Sequence, residues 1–296
     1  MASSSAHPPV SPAKGSPPTY VAVPLPPEAE RELFVVNSDG LLPAVPGPST
    51  AEIERSGHGV VSYDRRLDSD QDELWRFFLT HLTNSPPKGT MRCHGHYDTQ
   101  HHTTHTTTNA DGTTSTSTTT TTTNHTVFDI SITLTNYIPR QWAYLCARDK
   151  NGQCIPVKTA INMYTGDSSS LKEMKLVKQI DWPLEQLTAL ARARIRELGF
   201  RDNLDVVITF DNNTIVARSS SGLSSFAHNT AVRCLCVISC LWLIFLPMFW
   251  ALKTTVKFRL IAIYKTEKPW ELFWEKNVHI LEHGVRSRVS QTFEGL

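Results

Sequence analysis

The densest group of side chains that could do chemistry lies in "CHGHYDTQHHTTH", which runs from Cys93 to His105. On a strand, His94, His96 and Asp98 would project from one face, because alternate residues of a strand point the same way. Imidazole nitrogens suit zinc, copper or nickel. A structural zinc site normally has four convergent ligands, however, and the chain contains no Cys-x-x-Cys pair. We therefore predict a solvated polar strand with no metal site and no cofactor, and keep these three residues as weak candidate ligands.

The sequence contains no enzyme signature that we can identify. A phosphate-binding loop, a Gly-x-Ser-x-Gly elbow, a His-Glu-x-x-His helix and a dinucleotide fingerprint are all missing. The formal net charge of +1 gives the whole chain no bulk attraction to nucleic acid. We predict a non-enzymatic protein that does not bind nucleic acid, with an enzyme of unrecognised type as an alternative.

A short recognition motif lies near the start of the chain. Residues 1–57 are rich in proline, serine, alanine and glycine, which predicts a disordered arm. Within it, Pro17, Pro18 and Tyr20 belong to "PPTY", which matches the PPxY pattern read by WW domains. In such ligands a polyproline segment fits an aromatic groove and the tyrosine fills a neighbouring pocket. These residues predict a WW-domain partner; chance occurrence in a proline-rich tract is the alternative.

One long apolar run stands out near the C-terminus. From Cys234 to Leu252 it has no formal charge, and as a helix it would span about 28 Å, close to the thickness of a bilayer core. Trp242 and Trp250 are aromatics of the kind found at membrane interfaces, and Pro247 would kink a helix or form the apex of a re-entrant hairpin. We predict a membrane segment over residues 231–253, with the lipid bilayer as a partner.

The charges around this run predict two orientations. Basic residues are denser after it than before it, which places residues 254–296, a basic amphipathic tail, in the cytosol. A hairpin would keep both ends of the chain cytosolic, in the plasma membrane or an endomembrane. Alternatively, the preceding domain is lumenal or at the cell surface, and its threonine-rich loop carries sugars. The tail itself could lie in the membrane interface or pack on the folded domain.

Residues 58–220 predict a small α+β domain. A helix begins near Ser69, and a second one with Pro183 in its first turn ends at Gly199. The strand candidate "TMRCHGHYDTQ" and the alternating segment "VFDISITLTNYI" predict a hairpin joined by a disordered threonine-rich loop, residues 101–126. "LDVVITF" and "TIVARS" predict a second hairpin. The predicted fold class is a small antiparallel sheet with helices on one face, plus one transmembrane or re-entrant helix and the disordered arm.

Two resemblances follow from these features. The PPTY motif with a membrane anchor resembles the adaptors that recruit WW-domain ubiquitin ligases to membrane cargo. The layout as a whole is similar to that of fungal membrane proteins with a proline-rich arm and a late "LWxxxxPxxW" segment, here Leu241, Trp242, Pro247 and Trp250. The first resemblance implies a membrane-anchored adaptor or scaffold; the second implies no activity.

Overall fold

The computed structural model describes residues 35–36, 47–56, 58–108, 114–149, 151–229, 259–266 and 268–295. In these residues the fold is α+β, with two mixed sheets and a hydrophobic core that joins them. The strands are β1 Val35–Val36, β2 Glu54–Ser56, β3 Gly59–Ser62, β4 Lys88–Thr108, β5 Thr114–Thr133, β6 Tyr144–Arg148, β7 Cys154–Ile155, β8 Glu173–Ile180, β9 Asn203–Asp211, β10 Thr214–Arg218, β11 Arg259–Tyr264 and β12 Ser290–Phe293. The helices, numbered along the described residues, are α1 Arg66–Ser69, α2 Gln71–Asn84, α3 Val157–Gly166, α4 Leu184–Glu197, α5 Gly222–His228 and α6 Trp270–Ser287.

The larger sheet has the order β1-β6-β11-β8-β10-β3-β2, with β7 also paired to β6. The β10–β3 and β11–β8 pairs are parallel and the other pairs are antiparallel. After Arg259, every residue of β11 is buried. A continuous apolar strand of this kind belongs in the interior of a sheet. The last part of the chain therefore supplies a central strand of the fold.

The smaller sheet has the order β12-β5-β4-β9. The predicted alternation of β5 is confirmed, because Phe128, Ile130 and Ile132 are buried whereas Asp129 and Ser131 are only partly buried. The predicted pairing of β4 with β5 is confirmed as well, since Met91 lies opposite Ile132. Helices α4 and α6 pack against this sheet, and α2 and α3 contact the larger one.

The two helices that the sequence predicts, α2 and α4, lie close to their predicted positions. In α4 the buried residues Leu184, Leu187, Ala191 and Ile195 form an apolar stripe at helical spacing. Gly199 follows the helix with φ +94°, the left-handed conformation that ends a helix. In α2 the predicted N-cap at Ser69 is wrong by one residue. The Asp70 carboxylate accepts hydrogen bonds from the backbone N–H groups of Asp72 and Glu73 at 2.9 and 3.1 Å, so Asp70 is the cap.

The predicted second hairpin is wrong. β9 pairs with β4 in the smaller sheet, whereas β10 pairs with β3 and β8 in the larger one. Asn212, with φ 55°, turns the chain between the two sheets. β9 alternates between buried and partly exposed residues, but the three central residues of β10 are all buried. Each strand therefore occupies the sheet in which its own pattern of apolar residues is covered.

The predicted threonine-rich loop is wrong too. β4 and β5 continue as an antiparallel pair from the base of the sheet to Thr108 and Thr114. Threonine is β-branched and favours extended backbone, so a polar segment of this composition can form strands without burying a core. Residues 101–126 are therefore described as strand, apart from 109–113, which lie outside the described residues.

Part of the predicted N-terminal arm belongs to the folded domain. Val35–Val36 pair with Leu145 and Tyr144 on β6, so this short strand docks on the larger sheet. Residues 47–56 are ordered on the domain, because the Ser49 hydroxyl donates a hydrogen bond of 2.7 Å to the Glu73 carboxylate. The prediction of a disordered arm that extends to residue 57 is therefore wrong in its second part.

Helix α6 packs on the domain through its apolar side. Phe273 and Leu281 are buried, and the Phe273 ring meets that of Tyr137 edge-on at 5.3 Å. Gly284 lies against Ile130 of β5, where a Cβ atom would come within 2.6 Å of the isoleucine Cδ1. Of the two alternatives for the tail, the structure therefore shows packing on the domain.

The predicted membrane helix has no counterpart among the described residues. Within the described ranges, no helix has both the length and the apolar character needed to cross a bilayer. This finding overturns the predicted fold class with its transmembrane or re-entrant helix, and the membrane location derived from it. The segment 231–253 itself, with the predicted membrane residues Cys234, Trp242, Pro247 and Trp250, lies outside the described residues.

Candidate metal centre

Two neighbouring strands of the smaller sheet bring two histidines and a carboxylate together. His94 and His96 lie on β4 with their rings stacked at a centroid separation of 4.8 Å. Asp205 lies on β9, directly opposite His94 in the antiparallel register. Side chains at such cross-strand positions are close neighbours on one face of a sheet. The register of β4 and β9 therefore adds a ligand that residue spacing along β4 does not show.

The three side chains offer ligand atoms at short mutual distances. One atom from each of His94, His96 and Asp205 lies within 4.8 Å of the other two. His96 Nδ1 is 3.9 Å from Asp205 Oδ2, and this nitrogen is buried without a hydrogen-bond partner in the part of the chain that the structure describes. A buried polar atom with no partner is costly, so it marks a place where a further group would be stabilised. The His96 side chain is only 14% exposed.

His94 is oriented by a residue of β5. Its Nε2 shares a hydrogen bond of 3.1 Å with the Thr126 hydroxyl. When Nε2 donates this bond, the lone pair is on Nδ1, which is the arrangement that metal-bound histidines use. Burial is the largest effect on the pKa of His94 and lowers it. The negative charge of Asp129 comes next and opposes burial, while the smaller effects of His96 and Arg92 lower the pKa further. The ring is therefore held in the neutral form that ligates metals.

Asp129, on the other side of β4, is kept out of this cluster by an arginine. Arg92 binds its carboxylate through two hydrogen bonds of 2.7 and 2.5 Å, and these bonds hold the pKa of Asp129 below its usual value. A carboxylate engaged in this bidentate way is held in a fixed orientation by the arginine, and its charge is already compensated. Asp205 is consequently the carboxylate that could bind a metal ion together with the two histidines.

The third weak candidate, Asp98, does not join the histidines. Its Oδ1 accepts a hydrogen bond of 2.8 Å from the Asn124 amide, and its Oδ2 accepts one of 3.2 Å from the Asn203 amide. Asp98 thus ties β4 to β5 and to β9 at the edge of the sheet. Of the three candidates, the structure brings His94 and His96 together and replaces Asp98 by Asp205. The segment "LDVVITF" predicts the strand that carries Asp205, but not its partner strand.

The cluster fits a small divalent ion after a modest contraction. Zinc with nitrogen and oxygen ligands at about 2.0–2.1 Å keeps neighbouring ligand atoms about 3.3–3.4 Å apart. The separation of His96 and Asp205 therefore has to shorten by about 0.5 Å, and the widest pair of ligand atoms, which lies within 4.8 Å, by as much as about 1.4 Å. The Asp205 side chain, 65% exposed, has the freedom to move by that amount. Water would take the fourth position, as at zinc sites with three protein ligands.

Cys93, which adjoins His94 in sequence, does not contribute to the cluster. Cys93 points to the opposite, buried face of β4, where burial raises the pKa of its thiol to about 12. The proposed WW-binding residues, Pro17, Pro18 and Tyr20, lie outside the described residues. Comparison of the chain with protein-family models, curated proteins and solved structures finds no significant match. The functional proposal is therefore based on the geometry of the site.

Proposed function

We propose that this protein binds one divalent transition-metal ion, zinc in the first instance, through His94, His96 and Asp205. The observation that carries the proposal is the convergence of one ligand atom from each residue within 4.8 Å. Two imidazoles and a carboxylate form a set that suits zinc, copper or nickel, whereas calcium and magnesium prefer oxygen ligands. The proposal is one of binding and includes no reaction.

The rest of the cluster supports this assignment. The unpartnered His96 Nδ1 points toward the Asp205 carboxylate, so an ion between them would satisfy the nitrogen and bind the acid. Thr126 holds the His94 ring, as residues behind metal ligands commonly do. Both histidines are on one strand, and strands position ligands more firmly than loops.

Calorimetric titration of the tag-free full chain with zinc chloride tests the proposal. We expect one ion per chain, and at least about tenfold weaker binding in His96→Gln and in Asp205→Asn. Thr126→Val should weaken binding by about 10-fold to 100-fold, because loss of the hydrogen bond that orients a metal-binding histidine has an effect of this size. Asp98→Asn is the matched control. Asp98 lies on β4, as both histidines do, but its carboxylate contacts the side-chain amides of Asn124 and Asn203 instead of the metal site.

Two results would remove the proposal. One is zinc binding in His96→Gln and Asp205→Asn that is as tight as in the wild-type chain. The other is loss of binding in a His101→Gln and His102→Gln double variant with the three proposed ligands intact, which would assign the ion to the histidines further along β4.

A further inference from the structure

The β4–β5 pair extends well beyond the sheet that contains its base. β9 covers β4 only as far as His96, and β12 covers β5 only from Asp129 to Ile132. Beyond these points, in the part of the chain that the structure describes, the two strands pair with each other alone. We call residues 99–108 and 114–123 the ribbon. Each strand of the ribbon has one edge whose backbone N–H and C=O groups have no strand beside them.

The composition of the ribbon leaves these edges unprotected. Its residues are threonine and serine with one glutamine and three histidines, and no lysine, arginine, acid or proline occurs in it. The side chains of residues 101–107 and 114–123 are exposed. Natural sheets block association at open edges with charged residues, prolines, bulges or very short strands. The only register shift of the β4–β5 pair lies at Gly95 and His96, before the ribbon begins.

The ribbon also gains little stability on its own. A two-stranded ribbon with both faces in water is at best marginally stable, and a third or fourth strand adds the hydrogen bonds that it lacks. A partner for such an edge needs an extended strand of similar length with small side chains and no net charge. The same ribbon on a second copy of the chain meets these requirements, because two uncharged threonine-rich edges approach without repulsion.

We infer that the ribbon is a self-association surface, at which its open edges pair with the ribbon of a second copy. Because a ribbon has two open edges, the contact does not close at a dimer and larger assemblies form as the concentration rises. This inference is independent of the metal site, which lies at the base of the same pair of strands.

The test is sedimentation velocity of the tag-free full chain over a range of concentrations, with EDTA present so that histidine-bound metal cannot bridge chains. The comparison variant lacks residues 99–108 and 114–123 and keeps 109–113 as the connection. It retains the apolar residues 234–252, so any association through these is the same in both proteins. We expect the sedimentation coefficient of the wild-type chain to rise with concentration, and that of the shortened variant to stay at the monomer value.

A second pair of variants covers the case in which shortening prevents folding. Thr103→Lys with Thr118→Lys places a positive charge in the middle of each edge, on opposite faces of the ribbon. We expect this variant to associate at least about tenfold more weakly, and an equimolar mixture with the corresponding Thr→Glu variant to recover association. A wild-type chain that stays monomeric, a shortened variant that associates equally well, or Lys and Glu variants that associate like the wild type would each overturn the inference.

Discussion

Gly95 lies directly against the ring of Phe128, between the two histidines of the candidate metal centre. A Cβ atom at Gly95 would be 2.5 Å from the Phe128 Cζ atom, which is closer than two carbon atoms can approach. Phe128 is fully buried and its ring meets that of Phe200 edge-on at 5.0 Å. The ring fills the space below the strand, while His94 and His96 project from the opposite side. Gly95 thus couples the core to the ligands.

We predict that Gly95→Ala lowers the free energy of unfolding and weakens zinc binding together. Overpacking of a filled core costs about 1–3 kcal/mol, and displacement of Phe128 would shift β4 under both ligands. Urea unfolding and zinc calorimetry measure the two effects. Gly166→Ala is the control, because a Cβ there meets nothing within 4 Å and should leave both quantities unchanged or raise stability. Zinc binding of normal affinity in a destabilised Gly95→Ala protein would refute the coupling.

We predict that the protein loses stability as the pH falls below 6.5. Burial lowers the pKa of His81 and of His94, with the nearby charge of Lys178 adding to the effect at His81. A histidine with a lowered folded-state pKa stabilises the fold fully above the unfolded value of 6.5, and this contribution is lost as the pH falls through the folded value. Urea unfolding in EDTA at pH 7.5 and 5.5 should show a larger loss for the wild type than for His81→Gln. Equal losses would contradict the assignment to His81.

We predict that the buried Lys178 is essential for stability. Its ammonium donates hydrogen bonds to the backbone carbonyls of His81, at 2.9 Å, and of Ser85, where α2 ends. Lys178→Met would leave these carbonyls without their donor, at a cost of about 1–3 kcal/mol for each buried acceptor. Chemical denaturation at pH 7 measures this loss, and unchanged stability would refute it.

The pH dependence of the same variant gives an independent check. Burial lowers the pKa of Lys178 from 10.5 to about 8. The unfolded chain therefore binds more protons than the folded one between these values. The proton-linked part of the Lys178 contribution to stability is complete above 10.5 and is lost as the pH falls through 8, whereas the hydrogen bonds of the ammonium to the two carbonyls remain below pH 8. The stability advantage of the wild type over Lys178→Met should accordingly grow from pH 8 to pH 10. A constant difference would show that the lysine does not titrate in this range.

The WW-domain hypothesis remains a prediction. Full-length protein should bind isolated WW domains in solution, and Tyr20→Ala should abolish this binding, because the tyrosine fills a pocket beside the proline groove. Thr19→Ala is the matched control, since position x of PPxY accepts any residue. Fluorescence anisotropy with labelled WW domains measures both. Equal affinity for the wild type and Tyr20→Ala would dismiss the motif as a chance match.

Local patterns predicted those parts of the fold that local physics determines. The stripe of α4, from Leu184 to Ile195, is visible because helix periodicity repeats every three to four residues. The alternation around Ile130 is visible for the same reason with a period of two. The strand β11 has no such alternation, because every residue after Arg259 is buried in the interior of the sheet.

The features that the sequence did not reveal all depend on which strands pair. β9 and β10 are neighbours along the chain, yet their partners β4 and β3 lie far away in sequence. Asp205 becomes a ligand candidate only when β9 lies beside β4 in the observed register, so no spacing around His94 could have indicated it. The low hydrophobicity of the threonine-rich segment predicts disorder, and this prediction is wrong. Strand pairing needs only backbone hydrogen bonds and compatible side chains, so a segment without a hydrophobic core can still form strands.

The central claim of this account is that His94 and His96 ligate a metal ion, and the imidazole nitrogen NMR spectrum tests it most directly. The chain has 12 histidines. The nitrogen resonances of each imidazole ring show whether that ring binds the ion. On addition of one equivalent of zinc to the tag-free, nitrogen-15-labelled full chain, we predict that the ring resonances of His94 and His96 shift to metal-bound positions while those of His101, His102 and His105 do not. Unchanged His94 and His96 resonances, or shifts confined to the histidines of the ribbon, would contradict the claim.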